Sequence, residues 1–527
     1  MTKWIGVASL LWGTAAGQVL RDAFIQRAGE REITVCWRTA TPEVGVVKFG
    51  PAPGQWTGEF RDDSPVKNHE VRIQGLEPGA KYYYTYGNAS VLYDPGDETR
   101  YFKTLPPKGS PQKLRFWTHG DMGSYNFRQT GVLNAFTAFN GGGDVDGWLI
   151  LGDIIYRKGS FNDGSDTLYT SDFFNTYKDV LKNTVAWPAP GNHDYLSVFG
   201  NSGPYYDAYV MPQNGESGGE PSGTEEYYSF DVGNVHLVSL NSELYALNAS
   251  ASSPQAEWLR RDLAASDAKW KIVYWHQPPY SKGSHNSDDL WEVPMRNMRA
   301  VFLPIVEAYG VDLVLTGHSH NYERSCLVNG HYGFSSSFVP SLHLVQWGTG
   351  AYPHSPYVKD SARGTLYAVF GCGGKLDTGD GSLNHPVMVV AQDTVAGSGV
   401  IDVNGDTLRI RFLSMNGQVL DDFAIVKPEG TVSTPKTAPA SRFHLFPNPI
   451  SDGNLFYGAA FSRPERVSVE IYDPAGKLVM RPMHEQLFLP GAHEGLLDVR
   501  GLAKGAYTAV VVSSEYRKPL KFTVIDR

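Results

Sequence analysis

Cysteine is scarce in this chain: there are 3 among 527 residues, Cys36, Cys326 and Cys372, all far apart in sequence. At most one bridge could form among them, so a disulfide framework is excluded and each reads as a buried free thiol. Basic charge is also in short supply, with 46 Lys and Arg against 55 Asp and Glu, a net charge of −9, and no basic block anywhere. Nonspecific nucleic-acid binding, which leans on clustered Lys and Arg, is therefore not this chain's work. Long apolar runs are absent too; no stretch reaches the ~18 residues that a membrane-spanning helix needs. The run Trp4 to Trp12 is too short to span. Preceded by Lys3 and followed by the small residues Gly13 to Gly17, it reads as a signal peptide over residues 1–17 of an exported, soluble protein.

What is there divides the chain into about three units, as its length suggests at ~100–200 residues per domain. Residues 18–106 alternate apolar and polar positions between turn signals, as in Glu32 to Trp37 and Ala80 to Tyr86, which predicts an all-β sandwich with Trp37 in its core. Residues 112–427 switch to strand-like runs alternating with helical patterns. Ser253-Pro254 marks a helix start, and a second helix is predicted from about Met295 to Gly310, directly before another strand. Residues 428–441, rich in Pro, Ser and Thr without apolar period, read as a linker. Residues 442–527 read as a further small all-β unit.

Within the central unit, five short polar motifs each follow an apolar strand-like run. They are Gly120-Asp121-Met122-Gly123, Gly152-Asp153-Ile154-Ile155-Tyr156, Gly191-Asn192-His193-Asp194, His276 after Trp270 to Trp275, and Gly317-His318-Ser319-His320 after Val311 to Leu315. One such motif is a turn. Five in succession at the carboxyl ends of strands, the edge where open α/β sheets place ligands, point to a site. Together they offer two Asp, one Tyr, one Asn and three His, enough oxygen and nitrogen for two metal ions side by side.

This series resembles the purple acid phosphatase branch of the calcineurin-like metallophosphoesterases, over roughly residues 112 to 427. The resemblance implies a four-layer α/β/β/α sandwich with the metals at the edge of two facing sheets. The first unit resembles a fibronectin type III module, of the kind that precedes the catalytic domain in the plant-type branch. The last unit, with Pro447-Asn448-Pro449, Val467 to Lys477, Gly501 to Tyr507 and Lys521 to Val524 in order, resembles the carboxy-terminal sorting domain of the bacterial type IX secretion system. That implies a passage through the periplasm and a partner in the secretion machinery, ending at the cell surface or outside.

By the family's pattern, one metal takes Asp121, Asp153, Tyr156 and His320, and the other takes Asp153, Asn192, His276 and His318. Asp153 is then the bridge, a role a carboxylate suits at the ~3.5–4 Å separation of two-metal sites. Tyr156 implies ferric iron, for which phenolate is a strong ligand, beside a divalent Zn, Fe or Mn. Two cations make hydroxide available at mildly acidic pH and neutralise a phosphate under in-line attack. His193 and His285 match the family's substrate-contacting histidines and are expected to serve the leaving group, with Asp194 placed to orient His193. Glu323 and Arg324 are expected to lock the loop of His318 and His320 from behind. His119, His331, His343, His354 and His385 read as structural or exposed.

The expected activity is thus hydrolysis of phosphate monoesters, of the acid phosphatase type. A phosphodiesterase or nucleotide pyrophosphohydrolase with the same core is the competing enzyme reading. A surface protein with a vestigial core is the non-enzymatic one, against which the intact ligand set argues. The sequence sets no oligomeric state.

Overall fold

A computed structural model describes residues 18–428 and 442–525, apart from 125, 159–161, 163, 197–201, 245, 447–449, 451–453, 462–463, 489–490 and 514–516. The expected signal peptide, 1–17, and the linker from 429 onward lie outside the described residues. All three cysteines are buried free thiols.

The centre of the molecule is a pair of seven-stranded mixed sheets. In the first, Ala186–Ala189, Gly147–Leu151 and Leu114–His119 run parallel, and the antiparallel strands Gly397–Asn404, Thr407–Ser414 and Val419–Val426 follow. In the second, Val235–Ser239, Trp270–Tyr274, Leu313–Thr316 and Leu366–Phe370 run parallel. These strands are apolar on both faces, as sheets covered on both sides require. Alternation then assigns each face a partner: Ile272, Tyr274, Leu313 and Leu315 join the core shared with the first sheet, whereas Val273, Trp275 and Val314 pack with Trp258, Leu259, Leu263 and Phe302 of the covering helices. The outer face of the first sheet is covered likewise, Trp117 stacking on Phe136 of the helix Phe127–Asn140 with ring centroids 4.2 Å apart. The result is a four-layer α/β/β/α sandwich.

The helix Pro254–Ala265 starts as expected, with the Ser253 hydroxyl accepting the Ala256 N–H at 3.2 Å. The second expected helix is longer at its start and shorter at its end. Helical turns run from Val293 to Ala308, with a wider π-type stretch at Met298–Phe302. Gly310, in the left-handed region at φ 70°, then turns the chain into the strand Leu313–Thr316.

The amino-terminal sandwich buries Trp37 flat against His69, centroids 4.3 Å apart. It is joined to the catalytic layers rather than tethered beside them. Phe24 meets Phe174 at 4.6 Å, and Gln26 donates to the Ala186 carbonyl at 3.2 Å while its own oxygen accepts the Val210 N–H. The other end of the catalytic unit is fastened by Lys427, whose ammonium lies 2.8 Å from the buried Asp312 carboxylate, which also pairs with Lys359 at 2.7 Å. The carboxy-terminal unit packs a three-stranded against a four-stranded sheet around a core of its own, including Phe443, Leu455, Val469 and Val511.

One buried charge cluster ties the second sheet to its helix. The imidazole of His236 lies 2.7 Å from Asp231 and 2.8 Å from Asp262 of the helix, which also accepts the Ser229 hydroxyl at 2.5 Å. Burial alone would lower the His236 pKa, but the two carboxylates outweigh it and hold it up at about 9. A raised histidine pKa stabilises the fold fully below the unfolded value of 6.5, and that stabilisation is lost as pH rises through about 9. At ~1.4 kcal/mol per pKa unit the loss is on the order of 3 kcal/mol. Urea unfolding of the wild type from about pH 6 to about 10 should show this decline, and His236→Asn should be less stable at the low end and flatter; equal slopes would refute the assignment.

Candidate metal centre

Each motif crosses from a strand end into a tight turn, and the backbone there is unusual. Asp121, Asp153 and His318 all sit in the left-handed region, at φ 57°, 49° and 65°, three of the six non-glycine residues with positive φ among those described. Such a conformation costs on the order of 1–3 kcal/mol per residue and persists where the surrounding structure enforces it. The neighbouring glycines make room: a Cβ on Gly152 would lie 2.6 Å from the His276 ring, and one on Gly317 2.5 Å from an Asp121 oxygen. Any larger residue at either position would push a donor atom out of place.

The seven residues singled out by motif converge in two groups. In the first, the Tyr156 hydroxyl donates to Asp121 at 2.9 Å and lies 3.3 Å from His320 Nε2, which is itself 3.5 Å from Asp121. In the second, Asn192 Oδ1 lies 3.2 Å from His276 Nε2 and 3.1 Å from His318 Nδ1. Asp153 stands between them. Its Oδ1 is 3.3 Å from His276 Nε2, and donor atoms of Asp121, Asp153 and His276 all lie within 4.8 Å of one another.

The three histidines share one arrangement. His276 Nδ1 meets the Leu151 carbonyl at 2.7 Å, His318 Nε2 meets Glu292 at 3.4 Å, and His320 Nδ1 meets Asp377. With one nitrogen of each ring committed to an acceptor outside the cluster, the other faces inward, the pattern of metal-binding histidines held by a second layer of acceptors. Two carboxylates, a phenol, an amide oxygen and three such imidazoles fit a pair of borderline or hard cations.

Charge in the cluster is correspondingly strained. Burial would raise the Asp153 carboxyl, yet His276 and His193 keep it well below the usual range. Burial would lower His276, yet Asp153 and Asp121 hold it up at about 10; His320 is held at about 9 by Asp121 and Asp377. Burial, reinforced by Asp121 and Asp153, pushes the Tyr156 phenol well above its ordinary value.

His193 and His285 sit at the rim, with about a third of each side chain exposed. The His193 ring lies 4.4 Å from that of Tyr156, and its Nε2 is 3.8 Å from Asp153. The His285 ring lies 3.9 Å from that of His318. Asp194 faces the other way. Its oxygens accept the N–H groups of Ile154 and Gly191 and, at 2.8 Å, the Tyr169 hydroxyl, so it braces the turn that presents Asn192 rather than the His193 ring. Burial and the neighbouring Asp153 push its carboxyl up to about 7.

Glu323 accepts the Ser281 hydroxyl at 2.5 Å and the Lys282 N–H, and that hydroxyl reaches Ser319 at 3.0 Å, so Glu323 stands behind the loop of His318 and His320; Arg324 instead forks onto Asp421 at 2.6 and 3.1 Å, away from that loop. His119 is buried between Trp117, Trp148 and Tyr177, and that burial drives its pKa down to about 3. Sequence reasoning missed Glu292, Asp377 and Lys375, whose ammonium lies 4.2 Å over the Tyr156 ring. Asp377 and Lys375 belong to Gly371-Cys-Gly-Gly-Lys-Leu-Asp377 after the strand Leu366–Phe370, the same strand-then-glycine signal that found the others. Glu292 carried no such signal.

Three parts of the chain match known families, and the whole has known relatives. Residues 114–322 match the calcineurin-like phosphoesterase family, 24–104 the purple acid phosphatase N-terminal domain, and 444–525 the secretion system C-terminal sorting domain. Acid phosphatase type 7 of Mus musculus is 25% identical over 426 residues, covering 75% of this chain and 88% of that protein. Purple acid phosphatase 18 of Arabidopsis thaliana is 28% identical over 340 residues, covering 60% and 69%. A purple acid phosphatase from yellow lupin seeds has the same fold, with a TM-score of 0.57 at 18% identity, covering 79% of this chain and 77% of that one. Convergent donors, domain order and these likenesses together make this chain a purple acid phosphatase-like member of the calcineurin-like metallophosphoesterases, a metal-dependent phosphoric ester hydrolase with a type IX sorting domain.

Proposed function

We propose that the protein is an exported acid phosphatase acting on phosphate monoesters, with a ferric and a divalent ion held in the two donor groups. The observation that carries this reading is the shared orientation of His276, His318 and His320, each pinned through its outer nitrogen so that the inner one joins the donor cluster. Asp121, Tyr156 and His320 would hold the first ion, Asn192, His276 and His318 the second, and Asp153, between the groups, both. When bound, such a pair supplies Lewis acidity, activating water and neutralising phosphate oxygens.

The protein's own residues do the rest. Tyr156 supplies a phenolate once its proton is displaced, and the Lys375 ammonium over its ring favours that negative charge. His193 and His285, at the rim, are placed to touch the ester and hand a proton to the departing alkoxide. Asp194 holds the Asn192 turn in register. The divisions 1–17, 18–106, 112–427, 428–441 and 442–527 are proposed as signal, sandwich, catalytic domain, linker and sorting domain. Among the described residues no helix is long and apolar enough to cross a membrane. The sorting domain, which would engage the type IX machinery, places the protein at the cell surface or outside it.

Three outcomes follow. Iron-loaded wild-type protein should show a violet-to-pink phenolate-to-iron absorption band that Tyr156→Phe abolishes; colourless, iron-free and fully active wild type would sink the iron assignment. Rates on alkyl and nitrophenyl phosphates test the proton donors, because a nitrophenolate leaves without help. His193→Ala should lower kcat ~10²- to 10⁴-fold on the alkyl ester, the usual worth of a positioned general acid, and much less on the nitrophenyl ester. Equal losses would make it a phosphate-binding residue, and diester turnover exceeding monoester turnover in the wild type would favour the competing reading. Finally, cutting after Lys427 should leave activity intact, because the ion pair of Lys427 with Asp312 is retained, but should strand the protein in the host's periplasm; normal export of the shortened chain would remove the sorting role.

A further inference from the structure

The loop 281–292 brings a single carboxylate between two rings of the site. Glu292 is nearly buried, and its two oxygens face different histidines: Oε1 lies 2.6 Å from His285 Nδ1, and Oε2 lies 3.4 Å from His318 Nε2. The two rings are 3.9 Å apart and inclined at 34°. Across the His318 ring, Nδ1 is 3.1 Å from Asn192. One side chain therefore touches a rim histidine and a histidine of the second donor group at once.

The loop is built to keep it there. Arg299, buried, donates to the carbonyls of Pro279 and Ser287 at 3.0 and 2.9 Å. Asp288 accepts the Ser335 N–H and pairs with Lys282 at 2.9 Å. Ser319, between His318 and His320, has its hydroxyl 3.3 Å from the His285 N–H, so the loop is hung on the ligand motif itself. The backbone of Glu292 is fixed in turn, its N–H donating to Asp289 and its carbonyl accepting from Arg296, both at 3.2 Å.

An ionised carboxylate only accepts hydrogen bonds, so each ring nitrogen facing Glu292 must carry a proton. For neutral His318 that leaves Nδ1 with its lone pair toward Asn192, where the second ion would bind. For His285 it leaves Nε2 as the nitrogen available to substrate. We propose that Glu292 is a positioning residue that fixes the ring plane and tautomer of His285 and His318 together, so that one carboxylate sets both delivery of the leaving-group proton and the hold on the second metal. This rests on the reading of His285 as a proton donor and His318 as a metal ligand given above. No other described side chain is bonded to both rings.

The test uses the full-length, metal-loaded protein with Glu292→Gln, Glu292→Asp, His285→Ala and the double variant His285→Ala/Glu292→Gln, on an alkyl phosphate and a nitrophenyl phosphate. A glutamine presents one accepting oxygen and one donating NH2 where glutamate presents two accepting oxygens, so one of the two rings loses its acceptor. Loss of such an outer partner typically costs ~10- to 100-fold in metal affinity or activity. Glu292→Gln should lower kcat on the alkyl ester by that factor with little change in KM, and the double variant should be no slower than His285→Ala alone. A chelator titration followed by elemental analysis should strip one metal equivalent from Glu292→Gln at ~10- to 100-fold lower chelator than from wild type or His285→Ala. Glu292→Asp, which keeps the charge but shortens the reach, should behave like the glutamine variant. Multiplicative losses in the double variant, unchanged chelator resistance, or full activity in Glu292→Asp would each overturn the inference. If His285→Ala is itself silent while Glu292→Gln is costly, the proton-donor reading of His285 is what fails, and the joint role of Glu292 fails with it.

Discussion

The constraint on which this structure turns is that seven donor atoms from five separate strand ends must meet in a space a few ångströms across. Burial works against charge there, and opposite charges side by side offset it: His276 and His193 hold Asp153 below its usual range, and neighbouring carboxylates hold His276 and His320 up. The fold meets this constraint with backbone rather than side-chain reach. Three donors stand on left-handed turns, and glycines next to them let neighbouring turns pack within van der Waals contact of the donors. Two sheets facing each other with parallel strands ending at one edge supply the turns, and the aromatic layers around Trp117 and Trp148 keep those strands from shifting.

This arrangement explains why some of the site was legible in the sequence and some was not. A donor that must follow a strand directly, on a turn too tight for a side chain on its neighbour, leaves a local signature: apolar run, glycine, polar residue. Asp121, Asp153, Asn192, His318 and His320 all carry it, and the layer order follows from the alternation of such runs with helical stretches. Asp377 carries it too, in Gly371 to Asp377, but a carboxylate behind a ligand has no fixed place in the series. Glu292 lies in a polar loop whose conformation is set by Arg299, Ser319 and the bond of Asp288 to Ser335, partners that follow no local pattern, so nothing nearby marks it. Asp194 shows the opposite error. Adjacency to His193 suggested a partner, but a residue and its neighbour in a turn point in different directions, and the Asp194 oxygens are taken by Ile154, Gly191 and Tyr169.

The flanking units differ in how they relate to the chemistry. The amino-terminal sandwich shares its core with the catalytic layers through Phe24 and Phe174, and Gln26 bonds to the strand Ala186–Ala189 that leads to the Asn192 turn. Its presence therefore bears on where one donor stands, although it contributes none. The carboxy-terminal unit has a separate core and follows the Lys427–Asp312 ion pair that closes the catalytic layers. A domain that acts as an address has no need to share packing with the site.

The histidines divide by what stands behind them. Where the outer nitrogen meets a backbone carbonyl, as in His276, the acceptor belongs to the fold itself and no change of side chain removes it. Where it meets a carboxylate, as in His318 and His320, orientation depends on one side chain on another loop. Those loops, 281–292 and 371–377, also carry His285 at the rim and Lys375 over the Tyr156 ring. A rim histidine and the acceptor behind a ring of the second donor group thus travel on one segment, 281–292. On the proposed reading, a change in loop 281–292 that altered contact with the ester would also alter the hold on the second metal, because Glu292 meets both His285 and His318.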